Sequence, residues 1–307
     1  MSYANPRPLL GIVLLVLSTW SLSSLDASGK WIMAAGLPLL VMCWARYAIH
    51  IVLVAGVMIP LRGVSVLKAK RPVDQILRGV IMLFATLSFF SALRYLPQAE
   101  ATAINFLAPL LVLALAPMLL KEPPKLSRWL AAIVGFIGVL LIIRPSAGLH
   151  PLGVLFGLIT AVLFATQFII TRRLAVEDAI TTLIWSGMVG TVFTTLLMPF
   201  ILPEVWSLLR SFDGKHWLIL SATGVFGALG HLLQIQAYQQ APASVLAPFV
   251  YLQIISAAAL GWLIWGQFPD ALSWLGIGIV CGSGIVIATL EWRQQQRTKA
   301  AASPAQN

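Results

Sequence analysis

The sequence predicts an all-α polytopic membrane protein with ten transmembrane helices, arranged as two inverted five-helix repeats. The first observation is composition, because 59% of the 307 residues are hydrophobic and only 10% are charged, with a mean hydropathy of +0.92. Soluble domains carry about 25% charged residues, so this composition suits lipid as the solvent. The second observation is a series of ten apolar runs, each close to the roughly 20 residues that a helix needs to cross the hydrocarbon. The third is that the two halves of the chain resemble one another at a constant offset.

The apolar runs follow one another with short polar connections. The first run follows Arg7 and resembles a signal peptide, but Leu10-Gly11 aligns with Leu152-Gly153 at the start of the sixth run. We therefore expect the first run to be retained as a helix. The ten runs lie near 9–26, 36–60, 76–95, 99–120, 127–143, 151–171, 180–201, 217–236, 244–265 and 271–291.

An internal repeat relates residues 92–144 to residues 237–289, which lie 145 positions further along the chain. Turn prolines, aromatic residues and hydrophobic spacing recur in register, which favours a duplication. We expect a first repeat at 1–145, a second repeat at 146–292 and a disordered cytoplasmic tail at 293–307. The matched features are Pro97 with Pro242, Phe106 with Tyr251, Pro124 with Pro269, Trp129 with Trp274, and the polar turn at 121–125 with that at 266–270.

The distribution of positive charge predicts the orientation. If the N-terminus is cytoplasmic, most of the 20 Lys and Arg residues fall in connections on the cytoplasmic side, as the positive-inside rule requires. Both termini are then cytoplasmic, and the location predicted is a bacterial-type inner (plasma) membrane. Because each half has an odd number of spans, the second half enters the membrane upside down relative to the first. The residues on the cytoplasmic side are Arg7, Arg62, Lys68, Lys70, Arg71, Arg78, Lys121, Lys125, Arg128, Arg172, Arg173, Arg293, Arg297 and Lys299.

Polar side chains inside the second and eighth spans are candidate substrate-binding residues. Arg46 lies within the second span, where a charge is costly unless it faces a cavity or a partner. It suits a substrate carboxylate or phosphate, although a structural tie to a neighbouring helix is an equal alternative. His50 lies one helical turn further on. His231 and Gln234 share one face of the eighth span, which favours a wet cavity. For His50 an ordinary interhelical hydrogen bond is the alternative role.

The fourth and ninth spans contribute further candidates at repeat-related positions. Asn105 and Phe106 lie in the fourth span, and Tyr251 and Gln253 lie in the ninth. The equivalence of Phe106 and Tyr251 suggests an aromatic pair that clamps a planar or apolar part of a ligand, with simple packing as the alternative.

Acidic residues are predicted to lie outside the centres of the spans. Asp26 and Glu100 are expected at the outer ends of their helices. Proton-driven carriers often titrate a buried carboxylate, so this distribution favours facilitated exchange, or proton coupling through a histidine such as His231.

Several functional classes are disfavoured. The net charge of +10 is explained by topology, so no nucleic-acid partner is predicted. Neither the spacing of metal ligands nor a glycine-rich phosphate loop occurs, so no metal and no cofactor are predicted. No nucleophile–base pair or carboxylate dyad suggests a membrane-embedded enzyme. A channel or a lipid-handling protein stays as an alternative, although rings of polar residues typical of channels are missing.

Several motifs resemble the EamA-type branch of the drug/metabolite transporter superfamily. The resemblance rests on Ser91 to Pro97, Ala99 to Ala103, Leu107 to Leu110 and Lys121-Glu122, and it recurs more weakly from Ala237 to Gly284. It departs where the family's pattern has Gly-Glu at the end of the fourth helix of each repeat, since this chain has Lys121-Glu122 and Gly266-Gln267. The resemblance implies ten helices in two inverted repeats and transport of small metabolites.

The predicted function is therefore that of an inner-membrane secondary transporter. It moves a small metabolite, such as an amino acid or a cofactor-like solute, by alternating access. The stretch 247–253 is similar to a subset of the family with carriers proposed for riboflavin and S-adenosylmethionine, which gives a facilitative carrier of that type as the first alternative. The predicted partners are a small-molecule substrate and the lipid bilayer, with a homodimer left open.

Overall fold

The computed structural model describes residues 8–112, 126–144, 148–241 and 243–302. Within these ranges the chain is helical and contains no strand. A 3₁₀ helix at Val64–Leu67 joins the second and third helices, and residues 107–112 are also helical. The α-helices are α1 Pro8–Ala34, α2 Leu39–Arg62, α3 Pro72–Tyr95, α4 Gln98–Asn105, α5 Leu126–Ile142, α6 Pro151–Arg173, α7 Ala179–Ser211, α8 Gly214–Gln240, α9 Ala243–Val250, α10 Leu252–Trp265 and α11 Ala271–Ala302.

Seven of these helices are long and apolar enough to cross a membrane, counted over the described residues alone. Two shorter apolar helices accompany them, at Trp129–Ile142 and Leu252–Trp265. Large apolar side chains such as Leu9 and Phe200 are about four-fifths exposed on the outside of the bundle, which suits contact with lipid. The seven candidate spans are Pro8–Ala34, Leu39–Arg62, Pro72–Tyr95, Pro151–Arg173, Ala179–Ser211, Gly214–Gln240 and Ala271–Gln294.

Helix α1 is longer than the sequence predicted, because the polar residues near its middle do not end it. Thr19 and Ser21 donate their hydroxyl hydrogens to Val16 and Leu17 carbonyls within the same helix. The hydroxyl of Ser18 donates to the Gly230 carbonyl of α8 at 2.8 Å. These hydroxyls are satisfied without water, so the helix continues through the membrane to Ala34.

The fourth and ninth predicted spans are each interrupted, where the sequence predicted continuous helices. Phe106 forms a turn after α4, and Tyr251 forms a turn between α9 and α10. Their dihedral angles are similar, with φ −67°, ψ −3° at Phe106 and φ −68°, ψ −13° at Tyr251. Pro109 has no N–H to donate to the Asn105 carbonyl, which explains the first break. The two interruptions therefore occur at positions that the predicted repeat pairs.

Two helices extend beyond their predicted ends. Helix α7 continues past the predicted residue 201 to Ser211, through Pro199 and Pro203. Helix α11 continues to Ala302, so the part of the expected disordered tail that is described is helical. The turn predicted at 121–125 and residues 303–307 lie outside the described ranges.

The turn at 266–270 is described and shows how α10 ends and α11 begins. Gly266 ends α10 with a left-handed φ of +67°, a conformation that glycine adopts without steric cost. The carboxylate of Asp270 accepts a hydrogen bond from the Ser273 backbone N–H at 2.8 Å and also pairs with Arg144 after α5. Hydrogen bonding by Ser273, and to a smaller extent the positive charge of Arg144, hold the pKa of Asp270 below its ordinary value of 3.8.

The helices pack in pairs that join the two halves of the chain. Helix α1 lies along α8, α3 along α6, α2 against α7, and α5 against α11. The connections α2–α3 and α6–α7 meet on one face, where Arg71 donates its backbone N–H to Glu177 at 2.6 Å and Arg62 pairs with Asp178. We call this the basic face, defined by Arg62, Lys68, Lys70, Arg71, Arg172 and Arg173. The face on the other side, which carries the connections α1–α2, α3–α4, α7–α8 and α10–α11, is called the opposite face.

Candidate functional site

A cavity of about 750 Å³ lies between the two halves. Its walls come from α1, α2, α3, α4, α6, α7, α8, α10 and α11, together with the two interrupted segments. Seven of the eight residues predicted from sequence line this cavity, namely Arg46, Asn105, Phe106, His231, Gln234, Tyr251 and Gln253. His50 is the exception. It lies in a small adjoining hollow with Arg46 and His231, and its ring centroid is 5.9 Å from that of His231.

Arg46 is held in the cavity wall by few contacts. Its Nη1 donates to the Thr86 hydroxyl at 3.2 Å, and its guanidinium carbon lies 4.9 Å from the Tyr47 ring centroid and 5.9 Å from that of Phe90. The side chain is 9% exposed, and its buried Nε has no hydrogen-bond partner. Arg46 therefore forms the structural tie to a neighbouring helix, and it also keeps one nitrogen without a partner.

The aromatic pair predicted from the repeat is in contact. The ring centroids of Phe106 and Tyr251 are 5.0 Å apart, with 36° between their planes. Both rings line the cavity, at the positions where the two helices are interrupted. Gly284 of α11 makes room for this pair, because a Cβ there would lie within 1.5 Å of the Tyr251 hydroxyl oxygen.

Asp26 is a cavity residue that sequence reasoning missed. It was expected at the outer end of a short first helix, but α1 continues two turns further and places the Asp26 side chain in the cavity wall, 6% exposed. The expectation that no acidic residue lies deep in a span is therefore wrong, and with it the argument for facilitated exchange. The helical spacing of Leu22, Leu25 and Asp26, which all line the cavity, would have revealed it once α1 was taken beyond residue 26.

Arg78 was likewise assigned to a cytoplasmic connection, whereas it lies in the second turn of α3 and lines the cavity. Its Nε donates to the Thr171 hydroxyl at 2.8 Å, and its Nη1 donates to the Ser186 hydroxyl. Both partners belong to the second half of the chain. Gln167 also lines the cavity, and its buried Oε1 has no hydrogen-bond partner.

The cavity stops short of the opposite face, where neutral polar groups join α1, α4 and α10. The hydroxyls of Ser23 and Ser256 lie 2.6 Å apart, and Ser23 also donates to the Gln253 carbonyl at 3.2 Å. Gln98 Nε2 donates to the Ser23 carbonyl at 2.8 Å. Nearer the surface, Lys30 donates to the Leu96 carbonyl at 2.7 Å. We call the group Ser23, Gln98, Gln253 and Ser256 the seal.

Towards the basic face the cavity continues to the ends of the helices. Thr171 and Arg172 lie in the last turn of α6, and Tyr238 lies in the last turn of α8. The lining is thus asymmetric, since it ends at the seal on one side and reaches terminal helical turns on the other.

Comparison with known proteins gives the family. The EamA-like transporter family matches this chain twice, at residues 9–144 and 151–289. The S-adenosylmethionine uptake transporter of Rickettsia conorii is 26% identical over 235 residues, which are 76% of this chain and 78% of that protein. The pseudopaline exporter of Pseudomonas aeruginosa is 27% identical over 277 residues, or 87% of this chain and 91% of that protein.

Two further comparisons agree with this. A Helicobacter pylori protein named as an uncharacterized transporter is 31% identical over 213 residues, which cover 69% of this chain and 72% of that protein. A solved crystal structure of a protein with 22% sequence identity matches this fold with a TM-score of 0.64. The match covers 94% of this chain and 98% of the chain in that structure. The chain therefore belongs to the EamA-like transporter family, and it is a multi-pass membrane transporter.

Proposed function

We propose that the protein is an inner-membrane secondary transporter that carries a small organic solute by alternating access between two inverted five-helix repeats, with S-adenosylmethionine as the first candidate substrate. The observation that carries this proposal is the cavity itself. Its lining comes from both halves of the chain, and it ends at the seal on one side while it reaches terminal helical turns on the other. Such an asymmetric cavity between two halves is what alternating access requires of one end state.

The helix pairing supports the inverted repeats. Exchanging the halves converts the pair α1 with α8 into the pair α6 with α3, and both pairs pack extensively. The interruptions at Phe106 and Tyr251 also exchange with each other. Paired interruptions of this kind often border the substrate site in transporters built from inverted repeats.

The lining suits a solute that is partly charged and partly planar. Arg46 offers a guanidinium with unused hydrogen-bonding capacity, and the Phe106–Tyr251 pair offers aromatic surface. The cavity volume lies within the roughly 300–1,000 Å³ range of ligand pockets. The relatives named as S-adenosylmethionine uptake transporters make that compound the substrate to test first.

The positive charge of the basic face supports a cytoplasmic assignment for that side. Both termini are then cytoplasmic, and the state described here faces the cytoplasm. Single cysteines at Lys68, on the basic face, and at Lys215, on the opposite face, should react with impermeant reagents from the cytoplasmic and the outer side respectively. This labelling tests the orientation independently of transport.

Uptake by proteoliposomes tests the transport reaction. Labelled S-adenosylmethionine should enter with saturable kinetics and should show counterflow when the vesicles are preloaded with unlabelled compound, because one site serves both directions. Arg46→Gln should lower uptake at least tenfold, whereas Arg62→Gln, outside the cavity, should not.

A linear, non-saturating flux without counterflow would instead indicate the channel alternative. Saturable uptake of riboflavin, with none of S-adenosylmethionine, would keep the transport reaction and replace the substrate.

A further inference from the structure

We infer that Asp26 and Arg46 form a bipolar subsite, which selects substrates that carry a cationic centre and a carboxylate in the same molecule. The inference rests on the proposed function, and it deepens it by naming the chemistry of the site. Three observations support it: the burial of Asp26 without a partner among the described residues, the unused hydrogen-bonding capacity of Arg46, and the distribution of charged side chains around the cavity.

Asp26 is a buried carboxyl group that has no partner among the described residues. It is more than nine-tenths buried and lines the cavity, and no described residue donates a hydrogen bond to it or forms an ion pair with it. A charged side chain inside a span costs about 2.5–3.5 kcal/mol on insertion scales, so it normally meets a partner or a wet cavity. Because Asp26 lines the cavity, a cationic group of a bound substrate can reach its carboxyl group.

Arg46 carries the complementary charge on the neighbouring helix α2. It is also nine-tenths buried, it uses one nitrogen for Thr86, and its Nε has no partner. Arg46 and Asp26 line the same cavity, yet the two side chains do not form an ion pair. A carboxyl group and a guanidinium thus line one cavity from neighbouring helices without pairing with each other, so each can meet a group of the substrate.

A simple anion or a simple cation would leave one of the two charged groups of the subsite without a partner. Among the described residues of the lining, Asp26 is the one acidic side chain, while Arg46, Arg78 and Arg172 are basic. Arg78 already donates to Thr171 and Ser186, nearer the basic face. A ligand with only a carboxylate would leave Asp26 unpaired, and a ligand with only a cationic centre would leave Arg46 unpaired. Leaving a buried charge unpaired is costly, so a ligand with both groups is favoured.

Binding of matched ligands to the purified full-length protein tests the inference. The first series is methionine, its amide, which lacks the carboxylate, and its 2-hydroxy acid, which lacks the ammonium. The second series is S-adenosylmethionine and its decarboxylated form. Dissociation constants are measured for the wild type, Asp26→Asn and Arg46→Gln. Asp178→Asn and Arg62→Gln make the same chemical changes outside the cavity and serve as controls.

The wild type should bind the ligand that carries both charges at least about tenfold more tightly than an analogue that lacks one of them, a difference of about 1.4 kcal/mol. Asp26→Asn should lose the preference over the hydroxy acid and keep the preference over the amide. Arg46→Gln should do the reverse. Asp26→Glu should restore the wild-type ranking, which separates loss of charge from loss of folding.

The outcomes distinguish this inference from the proposed function. If S-adenosylmethionine is transported but Asp26→Asn leaves both preferences unchanged or lowers them equally, the subsite is refuted and the transport function stands. If only the methionine series binds, with the expected pattern, the subsite stands and the first candidate substrate is replaced. If neither series binds, both the subsite and the proposed substrates are refuted.

Discussion

At the scale of single residues, Asp270 joins two elements through one carboxylate. It caps α11 through the Ser273 backbone N–H and pairs with Arg144 beyond α5. Its pKa in the folded protein lies below 3.8, so its contribution to stability is complete above about that pH and is lost as the pH falls through the folded-state value.

Asp270→Asn should therefore lower the melting temperature at neutral pH, and the gap from wild type should narrow as the pH falls below 3.8. The measurement is thermal unfolding followed by the fluorescence of the 11 tryptophans. Asp178→Asn is the control, because Asp178 also precedes a helix and pairs with an arginine, Arg62, but makes no capping hydrogen bond. A gap that stays constant into acid would show that the charge of Asp270 is not what stabilises this junction.

Residue-level prediction from sequence succeeds where a polar side chain lies well inside an apolar run. Arg46 and His231 stand out for this reason, and both line the cavity. Asp26 and Arg78 were missed because each lies near the apparent end of a run, where a charge is ordinarily solvated. Only the true helix ends, at Ala34 and Pro72, reveal that these two side chains lie inside the bundle. Whether the lining residues bind substrate stays a prediction.

At the scale of elements, α5 and α11 approach so closely that their backbones touch. A Cβ at Gly276 would lie 2.6 Å from the Gly138 carbonyl oxygen and 2.8 Å from the Ile142 side chain. Two residues further along the same helix, a Cβ at Gly278 would meet nothing within 4 Å. The two glycines form a matched pair for testing the approach of these helices.

Gly276→Ala should destabilise the protein by about 1–3 kcal/mol, because the backbones must separate to accept the methyl group. Gly278→Ala should be neutral or slightly stabilising, since alanine favours helix over glycine by about 0.5–1 kcal/mol. Thermal unfolding of both variants measures the difference. Equal melting temperatures would mean that the two helices separate without cost.

Element-level prediction succeeds for the order and position of the apolar helices that the structure describes and fails for the continuity of two of them. Periodicity and hydropathy predict that the fourth and ninth spans are unbroken, because a single turn residue does not change the mean hydropathy of the segment. Pro109 and Pro248 lie three residues from Phe106 and Tyr251, but proline is tolerated within membrane helices, so it does not by itself show where a helix is interrupted. The pair of Tyr251 with Phe106 forms through tertiary contact, which periodicity does not reveal. The ends of α1 and α7 were placed too early for a related reason, since serines and prolines end helices in water but are tolerated within a membrane bundle.

At the scale of the whole molecule, alternating access requires the seal to open. Ser23 of α1 and Ser256 of α10 belong to different halves, and their hydroxyl oxygens are 2.6 Å apart. A covalent link between these positions would hold the cavity closed towards the opposite face. It would leave the approach from the basic face unchanged.

Ser23→Cys combined with Ser256→Cys, with Cys43 and Cys281 replaced by alanine, should therefore lose at least about tenfold of its uptake rate on oxidation and regain it on reduction. The single-cysteine variants should not respond. Ligand binding to the oxidised protein in detergent should persist, because the cavity stays accessible. Full uptake by a completely cross-linked protein would exclude the seal as a moving part.

The seal has one more consequence, which concerns the solvent rather than the solute. Its hydrogen bonds join hydroxyl, amide and carbonyl groups, all of them uncharged, while Lys30 is confined to the rim. Mobile ions screen charges and leave neutral dipoles in close contact almost untouched. The hydrogen bonds of the seal should thus respond little to ionic strength, whereas the contacts of Lys30 with the Gln267 side chain and the Trp265 ring give this closure its dependence on salt.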